Sequence, residues 1–347
     1  MASSINELFE IAVKKGASDI HLVVGKYPLL RIDGILAPIA KTEQFTRAGL
    51  EKMIFSILTP NQKEKFLRER DLDLSYEIED GSRFRVNLFW EKDNIGLVAR
   101  IISSKIPKMD DLAMPEVVYE MTRARQGLIL VTGPTGCGKS TSLAAMINLI
   151  NKERTANIVT LEDPIEFLFE SEKSIVVQRQ LGTDMTSFQA ALKHVLRQDP
   201  DVIMVGEMRD LETIAATITI AETGHLVLAT LHTHNAGQTI DRIVDVFPPY
   251  QQNQVRLQLS MSLNGVISQQ LLPKVGGGRI AAREILINTP AVANIIRENK
   301  IPQIKTAIQT SKEDGMITLE QDLSRLVDDN LVDEATAEYY LQTLPKI

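Results

Sequence analysis

Gly133, Gly138, Lys139 and Ser140 stand at the spacing G-x-x-x-x-G-K-S within "GPTGCGKST", a pattern suited to gripping phosphate. Glycines let successive backbone N–H groups converge on an anion, and a helix starting at the loop's end adds partial positive charge there. Gly133, Thr135, Gly136, Cys137 and Gly138 would form the cradle. Lys139 would reach the β- and γ-phosphates, Ser140 would ligate Mg²⁺, and Thr141 would help hold the α-phosphate. The run follows the apolar stretch "GLILV" and opens a helical pattern through Leu143, Met146, Ile147 and Ile150. That context separates a phosphate loop from a bare glycine turn, so the expected ligand is a nucleoside triphosphate.

Three further apolar runs end in groups that could act on such a ligand. "NIVTLEDPIE" delivers Glu162, Asp163 and Glu166, "DVIMVGEMRD" delivers Glu207, and "HLVLATLHTHN" delivers His232 and His234. In open α/β sheets, ligands sit beyond the carboxyl ends of the strands, which would bring these groups to one place. Glu162 is expected to polarise an attacking water and Glu207 to hold Mg²⁺ through water, with the two roles exchangeable. Gly206 stands where many phosphate-loop enzymes carry their magnesium-holding Asp. His232 reads either as a sensor of the γ-phosphate or as a structural histidine. His225, after Gly224 at a helix stop, reads as support for its neighbours.

Hydrolysis also needs a cation facing the leaving phosphate. In "SRFRVN", Arg83 and Arg85 alternate with Phe84 and Val86, so both guanidinium groups leave one face of a strand, and Arg100 stands out similarly in "LVARII". A solvated basic strand face is the other reading.

These groups need elements to carry them. Residues 1–104 read as a small α+β domain: Ile5, Leu8, Phe9 and Ala12 recur at helical spacing, and "SDIHLVV", "DLDLSYEI", "SRFRVNLFW" and "NIGLVARII" alternate as strands do. Residues 105–122 read as a linker, within and after the two-proline run "SSKIPKMDDLAMPE". From 123 to 347 strands alternate with helices. The unbroken hydrophobicity of the four runs predicts strands covered on both faces, hence a parallel sheet. Thr186 and Gln189 have capping-box spacing before the helix through Phe188, Ala191, Leu192, Val195 and Leu196. "PKVGGGR" marks a tight connection, and the tail from 290 reads as packed helices.

Composition narrows the partners. The 347 residues exceed one ordinary core, and a net charge of -7 has the wrong sign for a chain living mainly on nucleic-acid phosphates. Cys137 is the single cysteine, so neither a disulfide framework nor a cysteine-based zinc site can be built, and a reducing compartment fits. Met1 to Lys15 is amphipathic, with Glu7 and Glu10, rather than a secretory leader. No run reaches the roughly 18 apolar residues of a membrane span, so membrane contact is expected only through a partner.

With these residues in view, the chain closely resembles the type IV pilus retraction ATPases, the PilT/PilU branch of the secretion-ATPase superfamily. The likeness runs nearly end to end: "GASDIHL", "RFRVN", "GPTGCGKST", "TLEDPIEF", "DPDVIMVGEMRDLETI", "AETGHLVLATLHT", "TIDRIVDVFP" and "IIREN". It implies a RecA-like ATPase domain with a PAS-like amino-terminal domain, assembled as a homohexamer binding Mg-ATP between the two. It carries catalytic roles onto Lys139, Glu162, Glu207 and His232, arginine-finger candidacy onto Arg83, Arg85 and Arg100, and a retraction-linked motif onto Ile295 to Glu298. The resemblance further implies a cytoplasmic motor at the inner membrane's cytoplasmic face, working on the pilus platform protein, with paralogous retraction or extension ATPases as further partners, without nucleic acid or membrane insertion. The accessory retraction ATPases are the alternative within the branch. "WEKDN" at 90–94 and the second histidine of "HTHN" depart from the family pattern. The rival classes are a small-molecule kinase, for which no lid-like insertion is evident, a nucleic-acid motor, which the acidic balance disfavours, and a nucleotide-gated binder, which the two carboxylates disfavour.

Overall fold

A computed structural model of the chain describes residues 4–32, 35–40, 42–102 and 105–343. Met1, where the expected amphipathic pattern begins, Ser103 and Ser104, where the first domain was expected to end, and Ile347 lie outside the described residues. The chain forms two compact units, one of residues 1–105 with 166–168, the other of residues 106–165 with 169–347.

The first unit holds α1 (Ile5–Lys14), β1 (Asp19–Leu22), β2 (Leu29–Ile32), β3 (Ile35–Pro38), α2 (Arg47–Phe55), α3 (Pro60–Glu69), β4 (Asp71–Glu77), β5 (Arg83–Glu91) and β6 (Asn94–Ile102). Its strands pair antiparallel in the order β3-β2-β1-β6-β5-β4. Ser4 caps α1 by accepting from the Glu7 amide, and the helix buries Ile5, Leu8, Phe9 and Ala12. Phe9 stacks on Phe84 of β5 with ring centroids 4.2 Å apart. Burying such side chains stabilises the unit by about 1.5–3 kcal/mol each. Because Phe84 and Val86 point inward, Arg83 and Arg85 take the opposite face. The strands β2 and β3 and the helices α2 and α3 were not expected. Each gives a weak pattern: β3 is exposed at every position, and α3 buries only Phe66 in a polar run.

The second unit begins with a single 3-10 turn at Asp110–Leu112 and α4 (Glu116–Thr122), a helix inside the stretch read as linker. There follow β7 (Gly127–Thr132), α5 (Lys139–Glu153), β8 (Asn157–Glu162), β9 (Ile175–Gln180), α6 (Phe188–Val195), β10 (Val202–Val205), α7 (Leu211–Glu222), β11 (Leu226–Leu231), α8 (Ala236–Asp245), α9 (Pro249–Ser262), β12 (Leu263–Pro273) and β13 (Arg279–Ile287). Then come α10 (Pro290–Arg297), α11 (Ile304–Thr310), α12 (Leu319–Asp328) and α13 (Glu334–Thr343). The sheet order is β13-β12-β7-β11-β10-β8-β9, parallel throughout except that β13 returns antiparallel beside β12.

Strands β7, β10 and β11 are buried at every position because both sheet faces are covered. Leu128, Leu130, Ile203 and Val227 face a core shared with α6 to α11, whereas Ile129, Val131, Met204 and Leu228 face α4 and α5. The antiparallel β13 escaped the sequence reading because "RIAAREILI" interrupts its apolar run with Arg283 and Glu284. The expected capping box at Thr186 and Gln189 is replaced: Ser187 caps α6 by accepting from the Ala190 amide at 3.1 Å. A one-residue shift in the helix start moves the cap from Thr186 to its neighbour.

Candidate active site

The chain leaves β7 at Thr132 and reaches α5 through Gly133 to Gly138, turning on positive φ at Gly133, Gly136 and Gly138. At Gly133 the requirement is also spatial, since an added Cβ would lie 2.3 Å from the Gln269 carbonyl oxygen and 2.6 Å from Cys137 Sγ. α5 starts without a side-chain cap. Its first-turn amides are therefore presented to the loop, which suits an anion. Thr135 and Gly136 are exposed, Cys137 is buried, and Ser140 and Thr141 are half-buried. Burial pushes the Cys137 thiol up despite the nearby Lys139 charge.

Lys139, only 8% exposed, donates from Nζ to the Gly133 carbonyl at 2.7 Å and to the Pro134 carbonyl at 3.0 Å. His232 Nδ1 lies 3.5 Å from the same nitrogen. On its other side, His232 Nε2 lies 3.6 Å from Glu207 Oε2, which also pairs with Arg209 Nε at 2.8 Å. The ends of β7, β10 and β11 thus bring Lys139, Glu207 and His232 into one chain of contacts. Parallel register dictates this meeting, since β11 runs beside both β7 and β10.

Glu162 ends β8, the strand beside β10. Its Oε1 accepts from Thr160 Oγ1 at 2.6 Å and Gln178 Nε2 at 3.0 Å, and the side chain is buried. The Gly206 amide donates to the Leu161 carbonyl at 2.8 Å, so β10 leaves the sheet against the backbone that carries Glu162. A Cβ at Gly206 would come within 3.1 Å of that carbonyl oxygen. Close approach of the two strand ends thus explains the glycine and the displacement of the carboxylate to Glu207. His234 is exposed, and its amide donates to Gln238 Oε1 at 3.4 Å. His225 closes α7, with Nδ1 3.2 Å from the Ile220 carbonyl.

The arginines lie in the six-stranded sheet of the other unit. Arg83 pairs with Glu77 at 3.3 Å and Arg100 with Asp19 at 2.9 Å. Arg85 is exposed and directly opposite Arg100 in the ladder. Like charges at facing positions weaken a sheet, so this pair has a cost that folding alone does not explain.

Sequence reasoning missed several supporting groups. Thr132 Oγ1 meets Ser268 Oγ at 2.8 Å, and Thr233 Oγ1 meets Thr239 Oγ1 at 2.6 Å, tying the loop's strand and the histidine segment to their neighbours. Gln269 hydrogen-bonds both the loop and α5. The signal existed: "SQQ" breaks the apolar run of β12, and Gln269 is nevertheless 1% exposed. Among the described residues no group of three or more His, Cys, Asp or Glu forms a metal cage. Ser140 and Glu207 offer hard oxygen donors, which fit an Mg²⁺ that draws its remaining ligands from phosphate and water.

Residues 1–277 match the family model described as "Type II/IV secretion system protein". The chain is 47% identical over 333 residues to the type IV pilus retraction ATPase PilT of Pseudomonas aeruginosa, covering 96% of each chain. It is 46% identical over 306 residues to a twitching motility protein of Neisseria gonorrhoeae, covering 88% of this chain and 82% of that one. A crystal structure of the pilus retraction motor PilT with bound ADP superposes with a TM-score of 0.92 at 43% identity, covering 99% of this chain and 97% of the other. Among the described residues no helix is long and apolar enough to cross a membrane.

Proposed function

The chain belongs to the type II/IV secretion system protein family, and from that premise we propose that it is the ATP-hydrolysing motor of type IV pilus retraction, powering pilus disassembly and twitching. The observation that carries the reading is the contact chain Lys139–His232–Glu207 at the mouth of the phosphate loop, in a chain similar over nearly its whole length to a retraction ATPase.

The residues divide the work as follows. Backbone amides from Gly133 to Ser140 and the Lys139 ammonium bind the phosphates, with Lys139 exchanging its loop carbonyls for phosphate oxygens. Glu162, oriented by Thr160 and Gln178, accepts a proton from the attacking water. Ser140 and Glu207 would hold Mg²⁺, which when bound neutralises charge on the phosphate oxygens. His232, lying between Lys139 and Glu207, reports the γ-phosphate to the strand ends. Arg83, Arg85 and Arg100 are the candidate cations for the leaving phosphate. The working form is a homohexamer in the cytoplasm, at the inner membrane's cytoplasmic face, acting on the pilus platform protein alongside paralogous ATPases.

Deleting the gene and counting surface pili tests the direction of work. Hyperpiliated, non-motile cells support retraction, bald cells point to extension, and retained twitching points to an accessory role.

A further inference from the structure

We propose that Gln269 is a positioning residue for nucleotide binding, aiming the Gly138 amide into the phosphate loop. The proposal rests on the reading of residues 133–140 as the phosphate grip.

The register pairs Ser268 with Thr132 at the end of the β12–β7 ladder. Gln269 is therefore the first residue of β12 beyond the ladder, beside Gly133 where the loop departs. Its side chain then reaches under the loop: Nε2 donates to the Cys137 carbonyl at 2.7 Å, and Oε1 accepts from Ser142 Oγ at 2.9 Å. One buried amide thus joins the middle of the loop to the first turn of α5, while its backbone carbonyl fills the space beside Gly133.

The chemistry of the loop requires such a partner. When backbone N–H groups turn inward on an anion, carbonyls turn outward, and a buried carbonyl needs a donor. In a trans peptide the C=O of Cys137 and the N–H of Gly138 point in opposite directions. Holding the Cys137 oxygen on Gln269 therefore holds the Gly138 N–H toward the loop interior. The amide side chain donates to that carbonyl through its nitrogen and accepts from the Ser142 hydroxyl through its oxygen; a carboxylate cannot donate, and an ammonium cannot accept. Gln269 also sits directly opposite Arg283 of β13 in the β12–β13 ladder.

The test uses the full chain carrying Gln269→Met, which keeps the volume and loses both bonds, and Gln269→Glu, which keeps only the acceptor. Affinity for a fluorescent ADP analogue should fall about tenfold in Gln269→Met and further in Gln269→Glu, the KM for ATP should rise in step, and kcat at saturating ATP should stay within about threefold. Ser142→Ala, which spares the carbonyl bond, should weaken ADP by less than about threefold. A lowered melting temperature with wild-type ADP affinity in Gln269→Met would make the amide merely structural and overturn the proposal. So would a loss in Ser142→Ala equal to that in Gln269→Met. Lys139→Ala in the same assay separates the two readings: if it binds ADP normally the phosphate-loop assignment itself fails, and if it alone loses ADP only the Gln269 proposal fails.

Discussion

Lys139, His232 and Glu207 at the strand ends and Arg283, Asp322 and Arg325 at the sheet edge each mix acidic and basic side chains of the larger unit, and they differ in how closely their members engage. Asp322 is fully buried and Arg283 is 1% exposed, whereas the His232 side chain is 47% exposed. Asp322 spends both oxygens: Oδ2 takes the Arg283 amide at 2.7 Å, and Oδ1 takes Arg325 Nε and Nη2 at 2.8 Å each. Burial depresses the Arg283 guanidinium to about 10, with Asp322 opposing that fall. At the strand ends His232 lies 3.5 Å from Lys139 Nζ and 3.6 Å from Glu207 Oε2, long for hydrogen bonds. Asp322 fastens α12 to β13, while the buried Arg283 Nε has no hydrogen-bond partner among the described residues. The strand-end group is held by the backbone on which it sits, and its loose contacts can be exchanged for a ligand's. Both groups mix acidic and basic side chains, and the closeness of their partners separates the roles.

Removing one member from each group should therefore damage different things. Lys139→Ala should lower steady-state ATP hydrolysis by about 10³-fold or more, while the melting temperature shifts by under about 2 °C. A cooperative loss of fold would instead class Lys139 with the edge charges. Asp322→Ala should destabilise the larger unit by about 3–5 kcal/mol, read as a lower denaturation midpoint, because it removes the buried acceptor of the Arg283 amide and the carboxylate paired with Arg325. Its folded fraction should bind ADP as the wild type does, and weakened binding would mean that the edge group also serves the site. Glu207→Gln and Glu162→Gln should each keep nucleotide and lose about 10²-fold in phosphate release. Wild-type rates in both would remove the carboxylates from the chemistry.

The same contrast governs what the sequence let through. The phosphate loop was readable because its chemistry demands fixed types at fixed spacing. The burial of β7, β10 and β11 was readable because strands covered on two faces are almost wholly apolar, with Thr132 and Thr230 the polar members. Glu162, Glu207 and His232 could be named because each ends such a run, although their contacts depend on strand order, which no local pattern contains. Asp322 and Arg283 were opaque, since they lie 39 positions apart and each looks like an ordinary surface charge on its own element. Gln269 left a signal in the polar break of β12, but its partner did not, because the Cys137 carbonyl is a backbone group that leaves no trace in composition. The missed β2, β3 and α3 bury few residues each, and periodicity cannot report a face that barely exists.

Glu284 tests the boundary between the two groups. It follows Arg283 on β13, so its side chain leaves the opposite face. There Oε1 accepts at 2.8 Å from the amide of Ala236, the first residue of α8, just beyond the histidine segment. Burial pushes its carboxyl above the ordinary value of 4.5; the Ala236 amide opposes the shift, Glu320 adds to it, and Lys305 offsets part. A carboxyl raised by folding gives stability that is complete below the unfolded value and is lost as pH climbs through the folded one. Glu284→Gln keeps an acceptor for Ala236 and removes the titration. Urea denaturation should show variant and wild type alike near pH 4.5, with the variant gaining on the wild type as pH rises toward 8. The sign is decisive, because a wild type that gains on the variant as pH rises would mean that the helix amino terminus favours the charge beyond the penalty of burying it. Glu284 would then be an engaged anion like Asp322. With the expected sign it is a charge kept at a cost beside the histidine segment.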